Sequence, residues 1–406
     1  MRSKESSSGN RGKNIRSDCY VELELKTSGG IKINLQSKVE PMYGDSIRSL
    51  LKDIFKTFKI RNASVLVEDY GALPYTIAAR VESAIKNIFS ETEEEYLLPF
   101  NKNSLYKTTK DRLRRSRLYL PGNEPKYFIS AGLHKPDGVI LDLEDSVAPP
   151  SKHDAKFLVR NALRSVDLYG CERMVRINQL PAGLEDLKFI VPHNIHVILI
   201  PKAEHAEHIK QVDEVVLKIK KEMHIKNDIF FMPIIESALG VINAYDIASS
   251  STNICSLAIG LEDYTADIGT QRTEEGRESF FARSMVVNSA KAAGIQPIDT
   301  VYSDVTNMEG LRESVIEAKS LGFEGKGCIH PRQVKVLHEA FKPTDQEIEK
   351  AKKIVKAFED AEKNGLGVVS IGSKMIDAPV VKRAEKTIDL ALLNDLVDKN
   401  WRKNIK

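Results

Sequence analysis

The sequence predicts a (β/α)8 barrel preceded by a small α+β domain. Eight short apolar segments recur through residues 116–332, and each is followed by a helical pattern. That is the order of a (β/α)8 barrel, and polar groups gather at the C-terminal ends of the segments, where such barrels carry their chemistry. The residues ahead of position 110 read differently: strands and helices without a convergent acid–base cluster. A chain of 406 residues is also too long for one ordinary small domain.

The first domain is justified element by element. Residues 1–16 are polar and lack a hydrophobic segment, so they read as a disordered lead and not as a secretory signal. CYVELELK at 19–26 alternates as a strand does, and IKINLQS returns after Thr27-Ser28-Gly29-Gly30, which predicts a β-hairpin. Gly44-Asp45 precedes Ile47, Leu50, Leu51, Ile54, Phe55 and Phe58 at helical spacing, with Asp45 as the expected cap. ASVLVED is a third strand, and a helix runs through Ile77, Val81, Ile85 and Ile88. The domain is set at 17–90. An acidic run at 91–96 with Pro99, Asn101 and Asn103 behind it has little periodicity, so 91–110 reads as a linker. The basic run at 110–117 reads as its solvated end.

The barrel is assigned to 111–345. Its strands are SRLYLPG, GVILDLEDS, RMVRINQ, VILIPKAE, FFMPIIES, SLAIGLEDY, QPIDTVYSD and GKGCIHPR. They are short and largely apolar, as strands covered by helices must be. The helices begin near Pro125, His153, Leu184, Ala206, Gly240, Glu278, Met308 and Gln333. An open doubly wound sheet is the alternative, but it uses fewer strands and a glycine-rich first loop, which Pro121-Gly122-Asn123 is not.

Composition narrows the function classes. Charged residues make up 29% and the formal charge is +3, a balanced surface with no demand for nucleic acid. Cys19, Cys171, Cys255 and Cys328 are scattered without CxxC spacing, which argues against a disulfide framework or structural zinc. No apolar run approaches the length of a membrane span, and a cytoplasmic protein is the default expectation.

The strand ends, in order, carry Asn123; Glu144 and Asp145; Arg176 and Asn178; Lys202 and Glu204; Glu236 and Ser237; Glu262 and Asp263; Asp299; His330 and Arg332. Carboxylates crowded near one axis repel, and a hard divalent cation or basic partners relieve them. Magnesium on two side chains, with water or substrate oxygens completing the shell, fits better than zinc or iron, because thiols are missing and histidine is scarce there. Any single carboxylate, such as Glu204, Glu262 or Asp299, could instead cap the next helix, and His330 could simply hold a loop. Lys202 could neutralise the carboxylates or act as a Schiff-base lysine. A metal that polarises an oxo acid and an arginine that grips a carboxylate are the parts of a retro-aldol or Claisen-type lyase. Phosphoenolpyruvate chemistry uses similar parts, and composition leaves both open.

A resemblance separates them. RSRLYLPGNEP at 115–125, DGVILDLEDSVAP at 137–149, VRIN at 175–178, PIIESALG at 233–240, AIGLEDYTADIG at 258–269, GKGCIHPRQ at 325–333 and GSKMIDAPV at 372–380 resemble the citrate lyase beta subunit and the malyl- and citramalyl-coenzyme A lyases. The first domain resembles the acyl carrier (gamma) subunit of citrate lyase, through Ser17-Asp18, YGDSIR at 43–48 and VEDYGALPYTIAARVESAI at 67–85. The resemblance implies magnesium on Glu236 and Asp263. It implies substrate binding by Arg176, with Arg115, Asn178 and Lys202 as further substrate contacts. Glu144 and Asp145 would orient the metal's waters or counter Arg176, and Asp377, in a C-terminal lid region at 346–406, would be the acid–base group. It implies a 2′-(5″-phosphoribosyl)-3′-dephospho-coenzyme A arm on Ser17, although the glycine of the family's Ser-Gly-Asp pattern is missing. The chain thus reads as a gamma–beta fusion that cleaves citryl thioesters to oxaloacetate and acetyl thioesters. A separate alpha subunit would be its partner, and a trimer or hexamer its assembly. A citramalyl- or malyl-coenzyme A lyase with a docking module in front is the rival reading, and a non-catalytic thioester-binding scaffold is a second.

Overall fold

The computed structural model describes residues 4–363, 368–371 and 374–404. Met1–Ser3 of the expected disordered lead and Gly372 and Ser373 of GSKMIDAPV lie outside the described residues. The chain forms two compact units, Met1–Val334 and Lys335–Lys406.

The first unit opens with β1 (Glu5–Gly9), β2 (Cys19–Leu25), β3 (Ile31–Ser37), α1 (Glu40–Thr57), β4 (Ala63–Asp69) and α2 (Pro74–Ile88). The sheet order is β1-β2-β4-β3. Three expectations are corrected here. The segment read as a disordered lead contains β1, which pairs antiparallel with β2 from Glu5↔Glu24 to Gly9↔Tyr20. It carries no apolar pattern. Its hydroxyls find partners that only the folded chain supplies: Ser6 Oγ donates to Ala84 O at 2.6 Å and Ser8 Oγ to Asp154 at 2.7 Å. The β2–β3 hairpin is absent too. β4 lies between them, antiparallel to β2 and parallel to β3. Ala63, Val65 and Val67 are fully buried, so β4 takes the centre and β3-α1-β4 becomes a parallel crossover. Asp45 does not cap α1, which begins at Glu40 with a proline in its first turn and has no side-chain cap.

After an irregular run with one 3-10 turn at Lys102–Ser104 comes the barrel. Its strands are β5 (Ser116–Pro121), β6 (Gly138–Asp142), β7 (Glu172–Arg176), β8 (Val197–Ile200), β9 (Phe230–Ile235), β10 (Ser256–Ile259), β11 (Gln296–Asp299) and β12 (Gly325–Cys328). They close in the order β5 to β12, with β12 back on β5, and every pairing is parallel. The connecting helices are α3 (Pro125–Ala131), α4 (Lys152–Ser165), α5 (Gly183–Ile190), α6 (Ala206–Glu222), α7 (Ala238–Ile242), α8 (Ala244–Ala248), α9 (Leu261–Asp267), α10 (Phe280–Ala292), α11 (Met308–Leu321) and α12 (Pro331–Phe341). Ile140, Met174, Leu199, Met232 and Ile298 fill the interior, so the barrel is a packed core and not a pore.

The small domain is sealed to the barrel through α2 and α4. The burial of α2 extends round both faces, and Tyr75, Thr76, Arg80, Glu82 and Ser83 are buried with its apolar residues. Glu82 meets Arg160 of α4 at 2.5 Å with both side chains fully buried, and Arg160 also reaches Glu95 at 2.9 Å. Asp154 accepts from Ser83 Oγ at 2.6 Å, and Asn161 Nδ2 donates to Tyr75 O at 3.1 Å. Arg80 grips Asp18 at 2.9 and 3.0 Å and donates to Asn123 O, in the loop after β5, at 3.0 Å.

The second unit contains α13 (Asp345–Lys363), the ribbon β13 (Val369–Ile371) and β14 (Lys374–Ile376), and α14 (Ala378–Leu393). Ile354, Val355, Ile376, Val381, Ile388 and Trp401 form its core. Among the described residues no helix is long and apolar enough to cross a membrane.

Candidate active site

The rim is built from strand register. Asp142 ends β6 and lies opposite Arg176, which ends β7. The two form a fork: Arg176 Nε and Nη2 each donate to Asp142 at 2.7 Å. The backbone amides of Glu144 and Ser146 donate to the same carboxylate at 3.0 and 3.1 Å, and Ser146 Oγ joins them. Burial alone would raise Asp142, but the Arg176 fork outweighs it and holds the carboxyl below its ordinary value. Gly122 secures the neighbouring loop: its amide donates to Asp142 O at 2.8 Å, and a Cβ there would stand 2.4 Å from that oxygen.

Arg176 also faces Glu144 at 2.8 Å and Asp145 at 3.2 Å. The Glu144 contact is an ion pair by distance without hydrogen-bond alignment, since the buried Oε2 has no hydrogen bond. Gln179 Nε2 donates to the other Glu144 oxygen at 3.0 Å. Burial, with Asp145 beside it, lifts the Glu144 carboxyl to about 7. Three carboxylates therefore surround one guanidinium.

Glu236 follows β9 and is 6% exposed. Lys202 N donates to its Oε2 at 3.0 Å. Gly260 makes room for it, because a Cβ at that position would lie 2.5 Å from Glu236 Oε1. Burial, reinforced by Glu144 and Asp263, pushes the carboxyl up to about 8. Among the described residues Glu236 has no ion-pair partner. Asp263 sits in the first turn of α9, with Lys202 Nζ 3.4 Å away and both side chains about 40% exposed. Glu236, Asp263, Asp142, Asp145 and Arg176 line one cavity of about 370 Å³. Tyr119, Arg117, Asp299 and Thr300 line it too. Among the described residues no three His, Cys, Asp or Glu side chains form a ready metal cage. A donor set of two hard carboxylates suits magnesium, which keeps water and substrate oxygens in its shell, and suits zinc poorly. The buried, unpaired Glu236 fits that ion.

The other expected residues fall elsewhere. Arg115 stands before the first residue of β5, at the end of the strand opposite the rim, where it pairs with Asp137 at 2.9 Å. That corrects the expectation of a substrate contact, because one strand length separates it from Pro121. Asn178 turns from the cavity: its amide and side chain both donate to Asp186 at 2.8 Å. Glu204 accepts from Ser237 Oγ at 2.7 Å, and Ser237 caps α7. His330 Nδ1 accepts from Arg332 N, at the start of α12. Asp299 does line the cavity, but its carboxylate is buried between Arg283 and Lys326. In the second unit Asp377 is the N-cap of α14 and accepts from Val380 N at 3.2 Å. Ser17 has a left-handed backbone, φ 57°, and its amide donates to Tyr70 O at 3.0 Å.

Sequence reasoning gave Asp142 no role of its own, and it missed Tyr119 and Arg117. Asp142 was visible as the first acid of LDLEDSV, and parallel register with VRIN was the signal that could have paired it with Arg176. Arg117 sits inside a strand, where a charged residue is ordinarily read as facing out.

A closed parallel barrel with carboxylates and an arginine at its mouth carries the parts of a lyase- or aldolase-type site. Residues 115–331 match the HpcH/HpaI aldolase/citrate lyase family, and the chain belongs to it. Residues 10–88 match the family of the malonate decarboxylase delta subunit, an acyl-carrier-like domain. The citrate lyase subunit beta of Leuconostoc mesenteroides subsp. cremoris is 38% identical over 291 residues, 71% of this chain and 96% of that protein. The mitochondrial citramalyl-CoA lyase of Mus musculus is 30% identical over 340 residues, 80% of this chain and 96% of its own length. Among solved structures, CitE from Mycobacterium tuberculosis in complex with magnesium, acetoacetate and coenzyme A superposes with a TM-score of 0.57 at 27% identity, covering 70% of this chain and 99% of that one. The chain is an enzyme of the lyase class.

Proposed function

We propose that this enzyme cleaves a citryl thioester into oxaloacetate and an acetyl thioester. The observation that carries the reading is the pairing, in one cavity, of the buried carboxylate of Glu236 and that of Asp263 with a braced arginine, Arg176. Relatives named citrate lyase subunit beta support the substrate. Magnesium bound at Glu236 and Asp263 would supply the positive charge that stabilises the developing oxyanion. Arg176, fixed in its plane by Asp142, orients the substrate carboxylate, and Glu144 and Asp145 hold the polar wall beside it. Lys202 tempers the charge on Asp263. A base removes the tertiary hydroxyl proton, the bond to the thioester methylene breaks, and its electron pair forms the thioester enolate, which a proton converts to acetyl. Asp377 is the proposed acid–base group. No redox partner is needed. An arm on Ser17 would present the thioester, and a separate alpha subunit would exchange its acyl group.

The second reading is a citramalyl- or malyl-coenzyme A lyase whose first domain only docks. The buried seam between α2 and α4 favours it, because a domain so held resembles a fixed module. One experiment addresses both. Purified chain with magnesium is given citryl-, citramalyl- and malyl-coenzyme A, and the released oxo acid is followed. Oxaloacetate from the first, reduced about 100-fold or more in Asp377→Asn, supports the proposal. Release from the other two alone sinks it.

A further inference from the structure

We propose that Arg117 is the specificity-determining residue of this site: it seats a second free carboxylate of the substrate at the cavity floor, selecting citryl thioesters over analogues with a single carboxylate. The inference rests on the lyase reading above. Arg117 is the second residue of β5 and is 2% exposed, yet it lines the same cavity as Glu236 and Arg176.

Its hydrogen bonds go only to neutral acceptors. Nη1 donates to Met232 Sδ at 2.9 Å and Nη2 to Asp299 O at 3.3 Å. The buried Nε has no partner. Among the described residues no carboxylate lies within ion-pair distance of it. Three other fully buried arginines each hold a carboxylate: Arg80 holds Asp18, Arg114 holds Glu172 and Arg160 holds Glu82. Arg173 also lacks a carboxylate, but it donates to Asn194 O and Tyr106 O, lies 4.1 Å from the Tyr106 ring and is not part of this cavity.

The carboxylate of Asp299 cannot serve Arg117, because Lys326 takes it at 2.7 Å and Arg283 at 3.1 and 3.2 Å. Of the residues that line the cavity here, Asp299 is thus already neutralised from behind and Arg117 is not. At the rim the balance is reversed, with Arg176 already facing Asp142, Glu144 and Asp145. With one substrate carboxylate held at Arg176, a second anionic arm finds its unmatched cation in Arg117. The planar fork of a guanidinium matches a carboxylate there. Leaving a buried arginine without one is costly in a fold that gains nothing from it.

The test titrates the full-length chain, with magnesium, against oxaloacetate and pyruvate, which differ by one carboxylate. The parent should bind oxaloacetate about 30-fold or more tighter. Arg117→Met should lose that margin by weakening oxaloacetate alone, and Arg117→Lys should keep part of it. In turnover, Arg117→Met should raise KM for citryl-coenzyme A about 30-fold or more, with kcat and the citramalyl reaction within about 3-fold. Equal binding of the two acids by the parent overturns the proposal without any variant, and so does an equal loss of both in Arg117→Met. If the parent prefers oxaloacetate yet leaves citryl-coenzyme A intact, the lyase reading fails and the role of Arg117 stands.

Discussion

Two of the places where the first unit buries charge treat it in opposite ways. At the seam between α2 and α4, every charge is answered: Glu82 by Arg160, Asp18 by Arg80, and Asp154 by the hydroxyls of Ser8 and Ser83. At the barrel mouth, charges are left owing. Glu236 has only one backbone donor, and Arg117 has an orphan Nε. A buried charge that lacks its partner costs several kcal/mol, and in a cavity a bound ligand can supply that partner. The seam reads as structure and the mouth as function, although Glu236 and Arg117 are buried nearly as deeply as Glu82 and Arg160.

The largest effect that could break this contrast lies at the mouth. Asp263→Ala should lower kcat with citryl-coenzyme A by about 1000-fold or more and leave stability within about 0.5 kcal/mol, as expected for a partly exposed residue whose one ion pair is half-solvated. Denaturant unfolding beside the kinetics checks both halves. A variant that unfolds easily while still turning over would put Asp263 with the structural charges.

The seam predicts the converse. Arg160→Met removes the partner of a fully buried carboxylate and should cost about 3–5 kcal/mol of stability. Pairing it with Glu82→Met should recover most of the loss, since two apolar side chains of similar volume need no partners. Urea titrations of the single and double variants measure this. If the double variant is as unstable as the single one, the seam depends on more than charge pairing.

How legible these regions were follows from the same distinction. All eight barrel strands were readable, because each is a short apolar run whose neighbours in sequence are also its neighbours in the sheet. The small domain was harder. β4 enters between β2 and β3, and no local pattern announces a third strand that arrives later. β1 was invisible because its stability comes from hydroxyls meeting Ala84 O and Asp154, far along the chain. At the mouth, Glu236 and Asp263 were legible as strand-end acids, and both line the cavity. Arg115 misled because an arginine in a matching motif says nothing about which end of the strand it occupies. Arg117 was hidden by the ordinary assumption that a charge within a strand is solvated.

The smallest effect is the most selective, because it titrates a single unpaired charge. Glu236 keeps its proton up to about 8 in the folded chain, owing to burial and the nearby Glu144 and Asp263, whereas an unfolded glutamate loses it near 4.3. Between those values the folded state holds more protons, so metal-free stability falls as pH rises from about 4.5 to about 8 and is level above that. Glu144, lifted to about 7, shifts stability in the same direction, so the parent alone does not isolate Glu236. The difference between parent and Glu236→Gln does. Measured by urea unfolding from pH 6 to pH 7.5, the variant should gain on the parent by about 2 kcal/mol, at about 1.4 kcal/mol per pH unit, and magnesium at pH 8 should close the gap by stabilising the parent alone. A gap independent of pH, or one that magnesium leaves open, would mean that Glu236 is satisfied by the fold and belongs with the charges of the seam.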